Sequence, residues 1–116
     1  MEFTLPIPVD GELSLNKFYA GQHWSKRKEA ADYIKLVTVY EIKNQRLTRD
    51  ISKPVELYFY YNSRLDCSNH GFITKCIEDG IKGLLIADDS KKYVKGIFQG
   101  FWNGDGVKIR IKELKK

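Results

Sequence analysis

The sequence predicts a single small α/β (α+β) domain, a mixed β-sheet with two helices in the order β-α-β-α-β-β-β. Its 116 residues amount to one domain, enough to bury a core without disulfides or a structural metal. Its composition, 42% apolar, 13% aromatic and 30% charged, is that of a soluble globular chain. Alternating and helical hydrophobic spacings succeed one another along 1–116, with no repeat, linker or low-complexity stretch beyond a short Lys115-Lys116 tail.

Phe3, Leu5 and Ile7 alternate with Thr4 and Pro6, which predicts a short edge strand closed by Asp10-Gly11. Residues 10–24 read as a loop anchored by Phe18, Tyr19 and Trp24. Ser25 is a suitable N-cap for a helix over about 25–45, with Ala30, Tyr33, Ile34, Val37 and Tyr40 on one stripe and Lys28, Lys35 and Thr38 off it. Residues 55–61, rich in aromatic and other apolar side chains, give the strongest strand signal. Ser68 or Asn69 can cap a second helix that runs to about Lys82 and stops at Gly83, with Phe72, Ile73, Cys76, Ile77 and Ile81 buried. A short strand over 84–86 is expected next. Two further strands, 93–102 and 107–111, read as a hairpin across Asn103-Gly104-Asp105-Gly106.

No apolar run reaches the length of a membrane span, and the N-terminus lacks a signal-peptide pattern. Cys67 and Cys76 form neither a CxxC pair nor a disulfide framework, so a cytoplasmic setting is expected. The net charge of +5 is unevenly placed. Residues 17–53 hold nine Lys/Arg against four acids, and residues 91–116 hold eight against Asp105 and Glu113. Basic flanks suit a polyanion. The five acids of residues 66–89 (Asp66, Glu78, Asp79, Asp88, Asp89) would disfavour DNA unless they hold a cation.

Those acids fall at two expected strand ends and on the helix between them. Hard divalent cations take oxygen ligands, and carboxylates from different elements can converge on one ion. On spacing alone, solvated surface charges are the plainer reading of the same acids. Lys75 lies three residues before Glu78 and four before Asp79. It is either an ordinary helix-surface partner or an ammonium that steadies charge on a phosphate.

The segment Asp66-Cys67-Ser68-Asn69, then Lys75-Cys76-Ile77-Glu78-Asp79, then Leu85-Ile86-Ala87-Asp88-Asp89 resembles the signature of RusA-type Holliday junction resolvases. That family reads Asp-x-Asp-Asn, then Lys with Asp a turn later, then an apolar stretch ending in Asp-Asp. Ser14-Leu15-Asn16-Lys17-Phe18-Tyr19 is similar to the family's Asn-containing element after the first strand. The resemblance implies a homodimeric, Mg²⁺-dependent endonuclease, with Mn²⁺ as a possible substitute. It would nick four-way DNA junctions symmetrically, in bacterial cytoplasm and commonly from a phage or prophage. By position, Asp66, Lys75, Asp79 and Asp89 match the catalytic set. The metal candidates are Asp66, Glu78, Asp79, Asp88 and Asp89. The DNA-binding candidates are Asn16, Lys26, Arg27, Lys28, Arg64, Asn69, Lys91 and Lys92. No small-molecule cofactor or membrane is expected.

Two departures stand out. Ser68 occupies the second aspartate's place, and five residues rather than two separate Asn69 from Lys75. Glu78 is the candidate replacement for the missing carboxylate. Without a replacement the chain would bind junctions without cutting them, and a protein-interaction domain is the alternative from another class. His70 could serve as a base or ligand near Asp66, but His23 is too far off in sequence to suggest a zinc site. Cys67 and Cys76 read as packed residues. Phe18, Tyr19 and Trp24 are either base-stacking groups or core and dimer contacts.

Overall fold

The computed structural model describes residues 1–8 and 24–115, and the side chains of all of these except 24–26. In chain order the elements are β1 (Glu2–Leu5), α1 (Trp24–Asn44), β2 (Val55–Tyr61), a 3-10 turn (Cys67–His70), α2 (Gly71–Ile81), β3 (Val94–Phe101) and β4 (Val107–Glu113). The four strands form one mixed sheet in the order β1-β4-β2-β3. β2 runs parallel to β3, and β4 pairs antiparallel to both β1 and β2. The α+β class with two helices on one sheet is what the sequence predicts.

Strand β2 shows why the sheet has a distinct inside. Leu57, Phe59 and Tyr61 are fully buried, while Glu56, Tyr58 and Tyr60 point the other way and stay half-buried. The inner row packs with Ile109 and Ile111 of β4 and with Ile34, Ile73 and Ile77 of the helices.

Three local expectations give way to longer-range structure. The strands flanking residues 103–106 do not form a hairpin: β3 continues a β2-α2-β3 crossover, and the loop carries the chain over the end of β2 to place β4 on its far side. Asn62 Nδ2 donates to the Gly104 carbonyl at 3.0 Å, and the Trp102 indole donates to the Gly106 carbonyl at 3.2 Å, tying the loop down as it crosses. Gly106 has φ +77°, and a Cβ there would strike the Leu5 carbonyl oxygen, so the close approach to β1 requires glycine.

Residues 84–86 are a turn closed by one isolated bridge between Lys82 and Ile86, not a strand. Leu85 and Ile86 are nonetheless buried in the core. On α1 the buried line is Ile34, Thr38 and Ile42, while Tyr33, Leu36 and Tyr40 are exposed. Thr38 tolerates burial because its hydroxyl donates to the Ile34 carbonyl at 2.7 Å. Against it lies Gly80 of α2, where an added Cβ would come within 2.8 Å of the Thr38 side chain. The glycine that weakens α2 as a helix is what lets the two helices cross closely.

Candidate functional site

Helix α2 presents Lys75, Glu78 and Asp79 on one side, at helical spacings of three and four, and Lys82 follows one turn later. The segment between the 82–86 turn and β3 then brings Asp88 and Asp89 alongside. Lys75 Nζ lies 2.8 Å from Asp89 Oδ2, 3.3 Å from Asp79 Oδ1 and 3.5 Å from Glu78 Oε1. Lys82 Nζ lies 3.4 Å from Asp88 Oδ1 and 3.6 Å from Asp89 Oδ1. Asp89 is thus held by an ammonium on each carboxylate oxygen. Lys82 was not among the candidates, although its heptad spacing from Lys75 places it on the same side of the helix.

The electrostatics follow from this arrangement. The hydrogen bond from Lys75 holds the Asp89 carboxyl below its usual pKa, and Asp89 in turn raises that of Lys75. Burial pushes the Glu78 carboxyl up, against the opposing pull of Lys75. Lys82 is raised chiefly by its hydrogen bond to Asp88. The Lys75 side chain is 58% exposed, so these ion pairs contribute little to stability. A hollow of about 520 Å³ opens between the helices beside the cluster, and Asp32, Lys35, Asp79 and Lys82 are among its walls.

Asp66 and Ser68 lie elsewhere. Because β2 and β3 are parallel, the chain leaves β2 at one end of the pair and enters β3 at the other, with α2 spanning between. Asp66 precedes the 3-10 turn in extended backbone (φ −62°, ψ 151°) and its side chain is exposed; its carbonyl accepts the Asn69 N–H at 2.9 Å. Among the described residues, no ion pair or side-chain hydrogen bond joins Asp66 to the lysine-held acids.

Three carboxylates offer the oxygen chemistry that Mg²⁺ prefers. As arranged they do not fit it, since the Lys75 ammonium already sits among them. Among the described residues, no group of three or more His, Cys, Asp and Glu is placed to hold a metal ion.

At the Asp66 end of α2 there is instead a neutral network. Tyr61 donates to Thr74 Oγ1, Thr74 donates to Gln99 Oε1, and the Cys67 thiol donates to the Gln99 carbonyl at 2.8 Å. The fully buried His70 donates from Nδ1 to the Cys67 carbonyl at 3.0 Å, leaving Nε2 to accept from the Ser63 hydroxyl at 2.7 Å. Its ring stacks on Tyr61 with centroids 4.1 Å apart, and burial lowers its pKa. Buried and doubly bonded, His70 is a packing strut rather than a base beside Asp66. Burial likewise pushes the Cys76 thiol up to about 12, keeping it protonated.

The remaining cations are dispersed. Arg64, Lys91 and Lys92 are exposed, Lys92 standing over the Tyr93 ring. Lys28 pairs with Asp32 at 3.5 Å on the surface of α1, and Arg27 is half-buried. Asn69 is half-buried beside the 3-10 turn. Asn16 and the Lys26 side chain fall outside the described residues, as do Phe18 and Tyr19. No described helix is long and apolar enough to cross a membrane. Compared with protein-family models, curated proteins and solved structures, the chain matches none.

Proposed function

We propose that this chain is a structure-selective endonuclease of the RusA type, hydrolysing phosphodiester bonds in four-way DNA junctions as a homodimer. The observation that carries the reading is the 2.8 Å pairing of Lys75 with Asp89. The sequence resemblance assigns both to one catalytic set, and they meet although they lie fourteen positions apart.

In this reading Lys75 stays charged and is held at the cluster by Asp79 and Asp89, free to turn its exposed ammonium toward an incoming phosphate. Asp89 remains ionised under the hold of two lysines. Glu78, made more basic by burial, is the carboxyl suited to carry a proton. Lys91 and Lys92, just past Asp89, would contact the DNA backbone, and Arg64 would do so from the other end of α2. The resemblance also implies Mg²⁺ or Mn²⁺, which carboxylates already gathered around Lys75 do not fit as they stand.

The test is incubation with an end-labelled four-way junction and a matching duplex, in Mg²⁺, Mn²⁺ or EDTA. Paired nicks confined to the junction and lost in EDTA are expected. Ser68 and the separation of Asp66 from the cluster favour a second reading, a junction-binding protein that does not cut. That reading predicts shifted junction bands and no nicks in either metal.

A further inference from the structure

Both helices pack on one face of the sheet, and the other face carries a set of side chains that the cleavage reading leaves unused. Register places Tyr58 and Tyr60 of β2 beside Phe98 and Gly100 of β3 on one flank, and beside Arg110 and Lys108 of β4 on the other. Glu56 sits in the next pair, between Gly96 and Lys112. The Phe98 ring is the centre of the patch, 5.7 Å from Tyr58 and 6.0 Å from Tyr60 between centroids, and the residue is 50% exposed. Glycines two residues to either side leave it unflanked on its own strand. At Gly96 this opens a hollow of about 250 Å³ bounded by Glu56, Tyr58 and Phe98.

Cations line the adjoining strand. Arg110 lies 5.4 Å from the Tyr58 ring centre, and Lys108 lies 5.7 Å from both Tyr60 and Trp102. Lys112 extends the row, and Glu2 and Glu56 offset part of the charge at 3.6 and 3.8 Å from Lys108 and Lys112. Aromatic rings exposed beside a row of cations fit a chain whose flat bases stack while its phosphates are neutralised. A second copy of the face would bring the same excess of cations, whereas a polyanion relieves it.

We propose that this face, which neither described helix covers, binds a single strand of nucleic acid, with a base stacked on Phe98 and the neighbouring phosphates on Lys108, Arg110 and Lys112. The surface goes beyond the cleavage reading, because Lys75 belongs to α2 on the opposite side of the sheet and binding here needs no hydrolysis.

The test is fluorescence anisotropy in EDTA at low salt, with labelled oligothymidylate and oligouridylate of about 12 nucleotides. Wild type, Phe98→Ala, Phe98→Tyr, Arg110→Gln and Asp89→Asn are compared, each after its melting curve has been checked. Salt-sensitive binding is expected, weakened roughly 5- to 150-fold by Phe98→Ala and retained in Phe98→Tyr. Arg110→Gln should weaken binding and flatten its salt dependence, while Asp89→Asn leaves it unchanged. Binding to either polymer supports the proposal, and the stronger of the two identifies the preferred sugar. Absence of binding, equal binding by Phe98→Ala, or equal loss in Asp89→Asn would overturn it. So would a wild-type dimer that Phe98→Ala dissociates, because a second copy would then occupy the face.

Discussion

Two sides of helix α2 solve opposite problems. Along the side facing β3, Tyr61, Thr74, Gln99, Cys67, His70 and Ser63 form a buried to half-buried network of neutral groups, each hydrogen-bonded to another member of the set. Along another side, from Lys75 to Lys82 just past its end, two lysines hold three aspartates and Glu78 in a charged cluster that is mostly open to solvent. A buried polar network fixes geometry, because an unmet partner there is costly. An exposed ion cluster contributes little to stability, which leaves its charges available for the role that the cleavage reading gives them. In the cleavage reading, the neutral network serves structure and the charged cluster serves chemistry.

That contrast can be broken experimentally. Lys75→Gln should lower junction nicking about 100- to 1,000-fold with little change in the melting curve, as measured by single-turnover cleavage. Thr74→Val should do the reverse: it strands the Tyr61 hydroxyl and the Gln99 amide oxygen and costs about 2–3 kcal/mol in urea unfolding.

The pH dependence should separate the two groups more finely. His70 has its folded pKa lowered below the unfolded value of 6.5, so its stabilisation is complete above that value and is lost as pH falls from about 6.5 toward the folded pKa. Glu78, raised above 4.5, contributes with the opposite sign as pH rises past that value. The histidine's share is therefore read from the urea midpoints of wild type and His70→Asn, and the advantage of wild type should shrink as the pH is lowered below about 6.5. The smallest effect is expected on the surface of α1: Lys28→Ala removes the exposed pair with Asp32 and should cost under about 0.5 kcal/mol by thermal melting.

Much of the fold was legible. The 55–61 strand signal matches β2, and the 25–45 helix matches α1 to within a residue. Failures came where local chemistry had more than one long-range use. Asn103-Gly104-Asp105-Gly106 reads as a hairpin turn, yet the same residues let the chain cross over β2, which only the parallel pairing of β3 decides. Thr38 reads as a polar outlier on α1, yet it is buried because its own helix satisfies the hydroxyl.

At the site, motif order placed Lys75 with Asp79 and Asp89, but spacing could not show that Asp66 departs at the opposite end of the β2/β3 pair. The neutral network escaped notice because Ser63, Thr74 and Gln99 carry no spacing signal. The open sheet face was hidden for another reason: aromatics occupy both sides of β2, so its alternation does not reveal an outside.

The most direct test of this division is the rate of junction nicking by Asp89→Asn beside wild type, with urea unfolding measured on the same samples. The account predicts that cleavage collapses while the unfolding midpoint stays within experimental scatter. Cleavage at the wild-type rate, or a loss of cleavage that merely follows a loss of folding, would contradict it.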